Sequence, residues 1–104
     1  MVIGEDRLKR GQIDKASETF LRATNLRPER AAGWRGLGFC LLKLGRPLPS
    51  LQAYVKTVGI GPTQAADYLY GTLAALAAGE PEIALTLLDT LDHAHRDMAP
   101  PQRQ

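Results

Sequence analysis

Apolar residues recur along the chain at intervals of three and four, the period of a helix with one buried face. The clearest run is Trp34, Leu37, Gly38 and Leu41, and a second is Leu51, Tyr54 and Val58. Between them stand Gly45, Arg46, Pro47 and Pro49. The glycine suits the left-handed end of one helix, and the prolines suit the turn or first turn of the next, where no amide donor is missed. Gly59, Gly61 and Pro62 stop the second run. The pattern predicts an all-α chain of about six helices over residues 2–10, 13–26, 31–44, 48–58, 64–78 and 81–94. Residues 97–104, with Pro100 and Pro101, read as a flexible tail.

The pattern also repeats. One constant shift, the separation of Gly11 from Gly45, carries Gly45 onto Gly79 as well. The same shift superposes Leu8 on Leu42 and Leu76, and Phe20 on Tyr54 and Leu88. Ala16, Ser50 and Ala84 coincide as small residues, which let paired helices approach closely. Trp34 falls on Tyr68 and Pro28 on Pro62. Each copy reads as a helix, a tight turn and a helix, with copies over about 1–30, 31–64 and 65–96 in one domain spanning 1–96. Repeats of this length stack to share a continuous core.

The middle copy, W-x-x-L-G-x-x-L from Trp34 to Leu41 followed by Ser50, Tyr54, Thr57 and Pro62, resembles the tetratricopeptide repeat. The family prefers an aromatic at Leu41 and alanine at Ser50 and Thr57. The first copy keeps Gly4, Gly11, Ala16, Phe20, Ala23 and Pro28. The third keeps Tyr68, Gly79, Ala84, Leu88 and Leu91, with Gly71, Thr72 and Arg96 where leucine, glycine and proline are usual. The resemblance implies a right-handed α-solenoid of three helix-turn-helix repeats. It implies also a concave face built by the first helix of each repeat.

Length and composition narrow the function classes. The chain has 104 residues, 44% apolar and 23% charged, which fits one globular domain. One cysteine, Cys40, excludes an intramolecular disulfide and a thiolate metal cluster. Its place in mid-helix reads as a buried, inert thiol. His93 and His95 are two apart and point to different faces, unlike a zinc-binding i, i+4 pair. Asp89 and His93 are four apart and suit an ion pair or weak metal binding, set against a solvated helix end whose histidines interact with the dipole. Ser17 and Ser50 lack a nucleophile-elbow setting, and Gly59-Ile60-Gly61 reads as a helix stop rather than a phosphate loop. No catalytic residue, metal or cofactor is expected. The apolar stretch from Tyr68 to Gly79 is too short for a membrane span, and charges from Glu5 to Arg10 stand where a signal peptide needs an apolar run. A cytoplasmic location is expected.

Charge is uneven. Residues 1–52 carry ten Lys/Arg and five Asp/Glu, and residues 53–104 carry three and six. The halves are therefore +5 and −3, a distribution that reads as ordinary solvated faces or as one that favours head-to-tail contact. Basic residues are not interleaved with aromatics, so nucleic acid is not an expected partner.

By the resemblance, the groove residues are Leu8, Lys9, Arg35, Phe39, Leu42, Lys43, Leu69, Leu73 and Leu76, with Glu5, Ala32, Ala66 and Ala77 beside them. Leu8, Leu42 and Leu76 also read as partly core. The surface suits a protein or peptide partner with apolar anchors and some acidic residues, helical or extended. The family's carboxylate clamp is not expected, because its asparagines have no counterpart: Asn25 is the only asparagine. On the helix over 81–94, Ala84, Leu88 and Leu91 are expected to face the preceding helix. Ile83, Leu85 and Leu87 are expected to form a second interface, covered by a second copy, a partner subunit or the tail.

The string Gly36 to Cys40, G-L-G-F-C, with Leu44-Gly45, is similar to the middle repeat of small bacterial type III secretion chaperones. Leu76 to Glu80, with Glu82 and Ala84, is similar to their third repeat. That similarity implies a chaperone holding an apolar secreted subunit. The expected function is thus a non-enzymatic binding module, a chaperone or adaptor, and the alternative is an assembly subunit acting through homo- or hetero-oligomerisation.

Overall fold

Proline and glycine break the chain where the sequence places them, with one exception. The computed structural model describes the backbone of residues 2–98 and the side chains of residues 9–94. It holds five helices: α1 (Val2–Leu26), α2 (Ala31–Lys43), α3 (Pro47–Ile60), α4 (Ala65–Ala77) and α5 (Pro81–Met98). The all-α expectation is met, with five helices where six were expected. The expected break between residues 10 and 13 is absent, and α1 runs through it. Residues 97 and 98, assigned to the tail, are the end of α5, and the rest of that tail lies outside the described residues.

The exception has a physical cause. Gly45 and Gly79 both adopt φ +77°. At each, two amides fold back to close the helix: Gly45 N–H donates to the Leu42 carbonyl at 3.1 Å, and Arg46 N–H to that of Leu41 at 2.9 Å. Gly79 and Glu80 repeat this on Leu76 and Ala75. This is the glycine-terminated end that satisfies a helix's last carbonyls. In both turns a proline, Pro47 or Pro81, stands two residues after the glycine and opens the next helix. Gly11 is followed instead by Gln12 and Ile13, which carry amides a helix can use. Glycine alone costs a helix only about 1 kcal/mol, so it does not break one.

Each helix packs on its successor, and α2 also packs on α4. The molecule is elongated, 55 × 34 × 26 Å. Its radius of gyration of 15.5 Å exceeds the about 13 Å of a compact chain this long. A buried apolar cluster joins Leu51 of α3, Tyr68, Ala74 and Ala75 of α4, and Ala84 and Leu87 of α5.

Small residues set the close approaches. A Cβ on Gly38 would stand 2.9 Å from the Tyr54 ring, so only glycine lets α2 meet α3 there. The buried Ser50 hydroxyl donates to the Gly38 carbonyl at 2.7 Å across the same contact. Gly36 likewise leaves room for the Phe20 ring of α1.

Candidate interaction surface

The exposed faces of α2 and α4 lie side by side. On α4, Leu69, Leu73 and Leu76 are 48%, 53% and 57% exposed. Their i, i+4, i+7 spacing aligns them over about 10 Å of helix. Neighbouring Ala66 and Ala77 are exposed too. On α2, Phe39 is 39% exposed and meets the half-buried Tyr70 edge to face, with centroids 5.4 Å apart. The Lys43 ammonium sits 5.5 Å from the Phe39 centroid. The Arg10 guanidinium of α1 donates to the Leu44 carbonyl at 3.1 Å. That bond brings Arg10 to the end of α2, at the residue that follows Lys43 in the chain, and the exposed Lys9 precedes Arg10 on α1. Cations there also complement the partial negative charge of the helix terminus.

Two expected groove residues have other roles. Arg35 is bound within the fold: its guanidinium donates to both carboxylate oxygens of Asp67, at 2.8 and 2.9 Å, and to the Pro62 carbonyl at 3.1 Å. The hydrogen bond to Asp67 holds the Arg35 guanidinium above its ordinary pKa. Asp67 also accepts the Gln64 amide at 2.8 Å, capping α4. Arg35 thus ties α2 to the start of α4 rather than presenting a free charge. Leu42 is half-buried against the central cluster. The side chains of Glu5 and Leu8 lie outside the described residues. The expected surface that remains is Lys9, Phe39, Lys43, Leu69, Leu73 and Leu76, joined by Tyr70 and Arg10.

The expected second interface is divided. Leu87 is 6% exposed and packs into the core, where its Cδ1 would be 3.2 Å from a Cβ on Gly71. Leu88, expected to face α4, is 42% exposed. Ala84, Leu87 and Leu91 form the packed stripe instead. The repeat explains the exchange. Leu87 stands in register with Ala53, which is also buried, whereas Leu88 stands in register with Tyr54, which is enclosed by Gly71 of the helix that follows it as well as by Gly38 of the helix before it. Among the described residues no helix follows α5. Leu85 is 66% exposed for the same reason: its counterpart Leu51 lies under α4.

Ile83 faces elsewhere, into a trough of about 610 Å³ between α3 and α5 lined by Leu48, Val55 and Ile60, with Lys56 and Glu80 at its edge. A second trough, about 580 Å³, lies between α1 and α3 and is lined by Leu21, Trp34, Leu41 and Pro49. Sequence reasoning missed both. The signal was Leu48 and Val55, seven apart on the outer side of α3.

The remaining chemistry is sparse. Cys40 is buried, and burial pushes its thiol up from the ordinary range. His93 and Asp89 pair at 3.6 Å on the exposed side of α5. Among the described residues no cluster of three metal-ligating side chains occurs, and no helix is long and apolar enough to cross a membrane. No protein-family model matches the chain, and no curated protein matches it significantly.

Proposed function

We propose that the chain is a tetratricopeptide-type repeat module that holds a segment of another protein against its α2/α4 face. The observation that carries this reading is the exposed row of Leu69, Leu73 and Leu76 beside Phe39. A contiguous apolar patch of this kind is uncommon on a monomer surface unless it is used. Support for the repeat reading comes from the matching left-handed turns at Gly45 and Gly79, one repeat apart, and from the stacking of α2 on α4.

The chemistry of the face supports one class of ligand. Asp67 is the only carboxylate in α2 or α4, and it is buried and paired. Lys43 lies over Phe39, and Arg10 of α1 reaches the Leu44 carbonyl at the same end of α2. An amphipathic segment with apolar anchors and acidic neighbours is complementary to this arrangement. The similarity of Gly36–Cys40 and Leu76–Glu80 to secretion chaperones supports one cellular use, holding an apolar subunit before export.

Two synthetic amphipathic peptides test the reading, one with glutamates flanking a leucine stripe and one with lysines in their place. Fluorescence anisotropy is expected to show binding of the glutamate peptide in preference to the other. Leu69→Ser with Leu73→Ser is expected to weaken that binding at least about tenfold. The same pair should change stability by less than about 1 kcal/mol, since both sites are half exposed. No binding, or binding indifferent to the double substitution, overturns the reading.

A further inference from the structure

The exposed Leu85 and Leu88 of α5 occupy the register of Leu51 and Tyr54, one repeat earlier, which are 3% and 1% exposed: Leu51 packs with residues of α4, and Tyr54 is enclosed between Gly38 of α2 and Gly71 of α4. The α5 face is thus built like one that a further helix surface covers. Its surroundings restrict what that surface is. Glu82, Leu85 and Asp89 lie at i, i+3 and i+7, so exposed carboxylates flank the leucines on one side. Two α5 faces meeting each other would oppose like charges. The outer face of α1 offers Lys15, Glu18 and Arg22, and its exposed Leu21 and Leu26, five apart, do not share one helical row. The α3/α5 trough carries Glu80 beside Lys56 at its rim, and the α1/α3 trough carries Glu18 beside Arg46 and Lys56, so each presents a carboxylate to an acidic helix.

The α2/α4 face alone among these is apolar, free of exposed carboxylates and edged with cations. We propose that α5 of one copy docks on the α2/α4 face of a second copy. Leu85 and Leu88 lie against Leu69, Leu73 and Phe39, and Glu82 and Asp89 lie toward the cationic edge. At longer range only the α2 side of this face belongs to the +5 half of the chain, since α4 lies with α5 in the −3 half. The proposal rests on the reading of α2/α4 as a docking face and adds its occupant: self-association covers this face until a partner segment displaces α5.

Sedimentation of the full chain over a concentration series tests it. The wild type is expected to self-associate in the micromolar range. Leu85→Glu and Leu73→Glu are each expected to weaken association at least about tenfold. Both sites are exposed, and circular dichroism checks that each variant folds. Mixing the two variants is expected to restore a 1:1 pair, because the intact α5 of one meets the intact α2/α4 face of the other. A monomeric wild type at high micromolar concentration, association unchanged by Leu85→Glu, or no pairing on mixing overturns the proposal.

The glutamate peptide separates this result from the preceding one. Leu85→Glu is expected to bind it at least as well as wild type, and Leu73→Glu to lose it. A monomeric wild type that binds the peptide rejects self-association alone. An associating chain that ignores the peptide rejects the partner reading alone.

Discussion

Arg35 and Asp67 leave different things behind when the partner is removed. Without Arg35, a carboxylate that is 1% exposed keeps only the Gln64 amide. Without the Asp67 charge, a guanidinium that is 26% exposed still reaches water and the Pro62 carbonyl. A buried charge stripped of its partner costs about 3–5 kcal/mol, and that is the expected loss for Arg35→Ala. Asp67→Asn keeps an acceptor for the Gln64 amide and is expected to cost about 1–2 kcal/mol. Urea denaturation of the two variants measures the difference, and equal losses would mean the pair is not asymmetrically buried. Tyr54 and Cys40 act at the alkaline end. Burial, with the nearby Asp67 charge second, raises the Tyr54 phenol, and burial raises the Cys40 thiol. Both groups are therefore favoured neutral in the fold. Their contribution is complete below the unfolded-chain values, about 8.5 for Cys and 10 for Tyr, and falls as pH rises past them. Denaturation midpoints are expected to drop between pH 9 and 11 and to drop less in Tyr54→Phe.

Gly11, Gly45 and Gly79 are equivalent in the sequence and not in the helices that contain them. Gly11 lies inside α1 with nothing within 4 Å of an added Cβ. Gly11→Ala is therefore expected to stabilise by about 0.5–1 kcal/mol, the ordinary helix-interior difference. Gly45 has equally open space but sits at φ +77°, so Gly45→Ala is expected to destabilise by about 1–2 kcal/mol. Thermal melts of the pair should shift in opposite directions, and shifts of the same sign would contradict the continuous α1. The two cases show what is legible in the sequence. Period, turn glycines and the constant repeat interval locate α2 to α5 to within a few residues. Extended to Gly11, the same interval predicts a turn at a site lacking the proline that makes the other two turns obligatory. At α5, periodicity finds the helix but not which leucines it buries. Leu87 and Leu88 are both apolar, and the choice depends on whether another helix follows, which no local pattern contains. Arg35 is hidden for a related reason. Its partner Asp67 lies two helices further along the chain, so helical spacing shows the face Arg35 occupies but not the carboxylate that holds it.

Sequential packing makes the whole molecule respond unevenly. The central helices α2, α3 and α4 each pack on at least two others, whereas α1 and α5 each pack on one. Stability in such an array is close to a sum of helix and neighbour terms, so openings begin at its ends. The α4/α5 contact rests on Ala84 and Leu87 beneath Gly71 and Ala75. Leu87→Ala removes a buried side chain and is expected to cost that contact about 2–5 kcal/mol. If the molecule unfolded only as one unit, the loss would speed amide exchange by the same factor in every helix. In a sequential array it speeds exchange mainly in α5 and the α4 face beneath it. Amides of α2 and α3, among them Leu37 and Tyr54, keep most of their protection because α2/α3 contacts do not involve α5. Hydrogen-exchange mass spectrometry of Leu87→Ala against wild type reads this directly. The expected pattern is a steep rise over Pro81–Met98, a smaller rise over Ala65–Ala77 and little change over Ala31–Ile60. A uniform rise would show that α5 is held in one cooperative unit with α2 and α3, through coupling that nearest-neighbour packing does not supply.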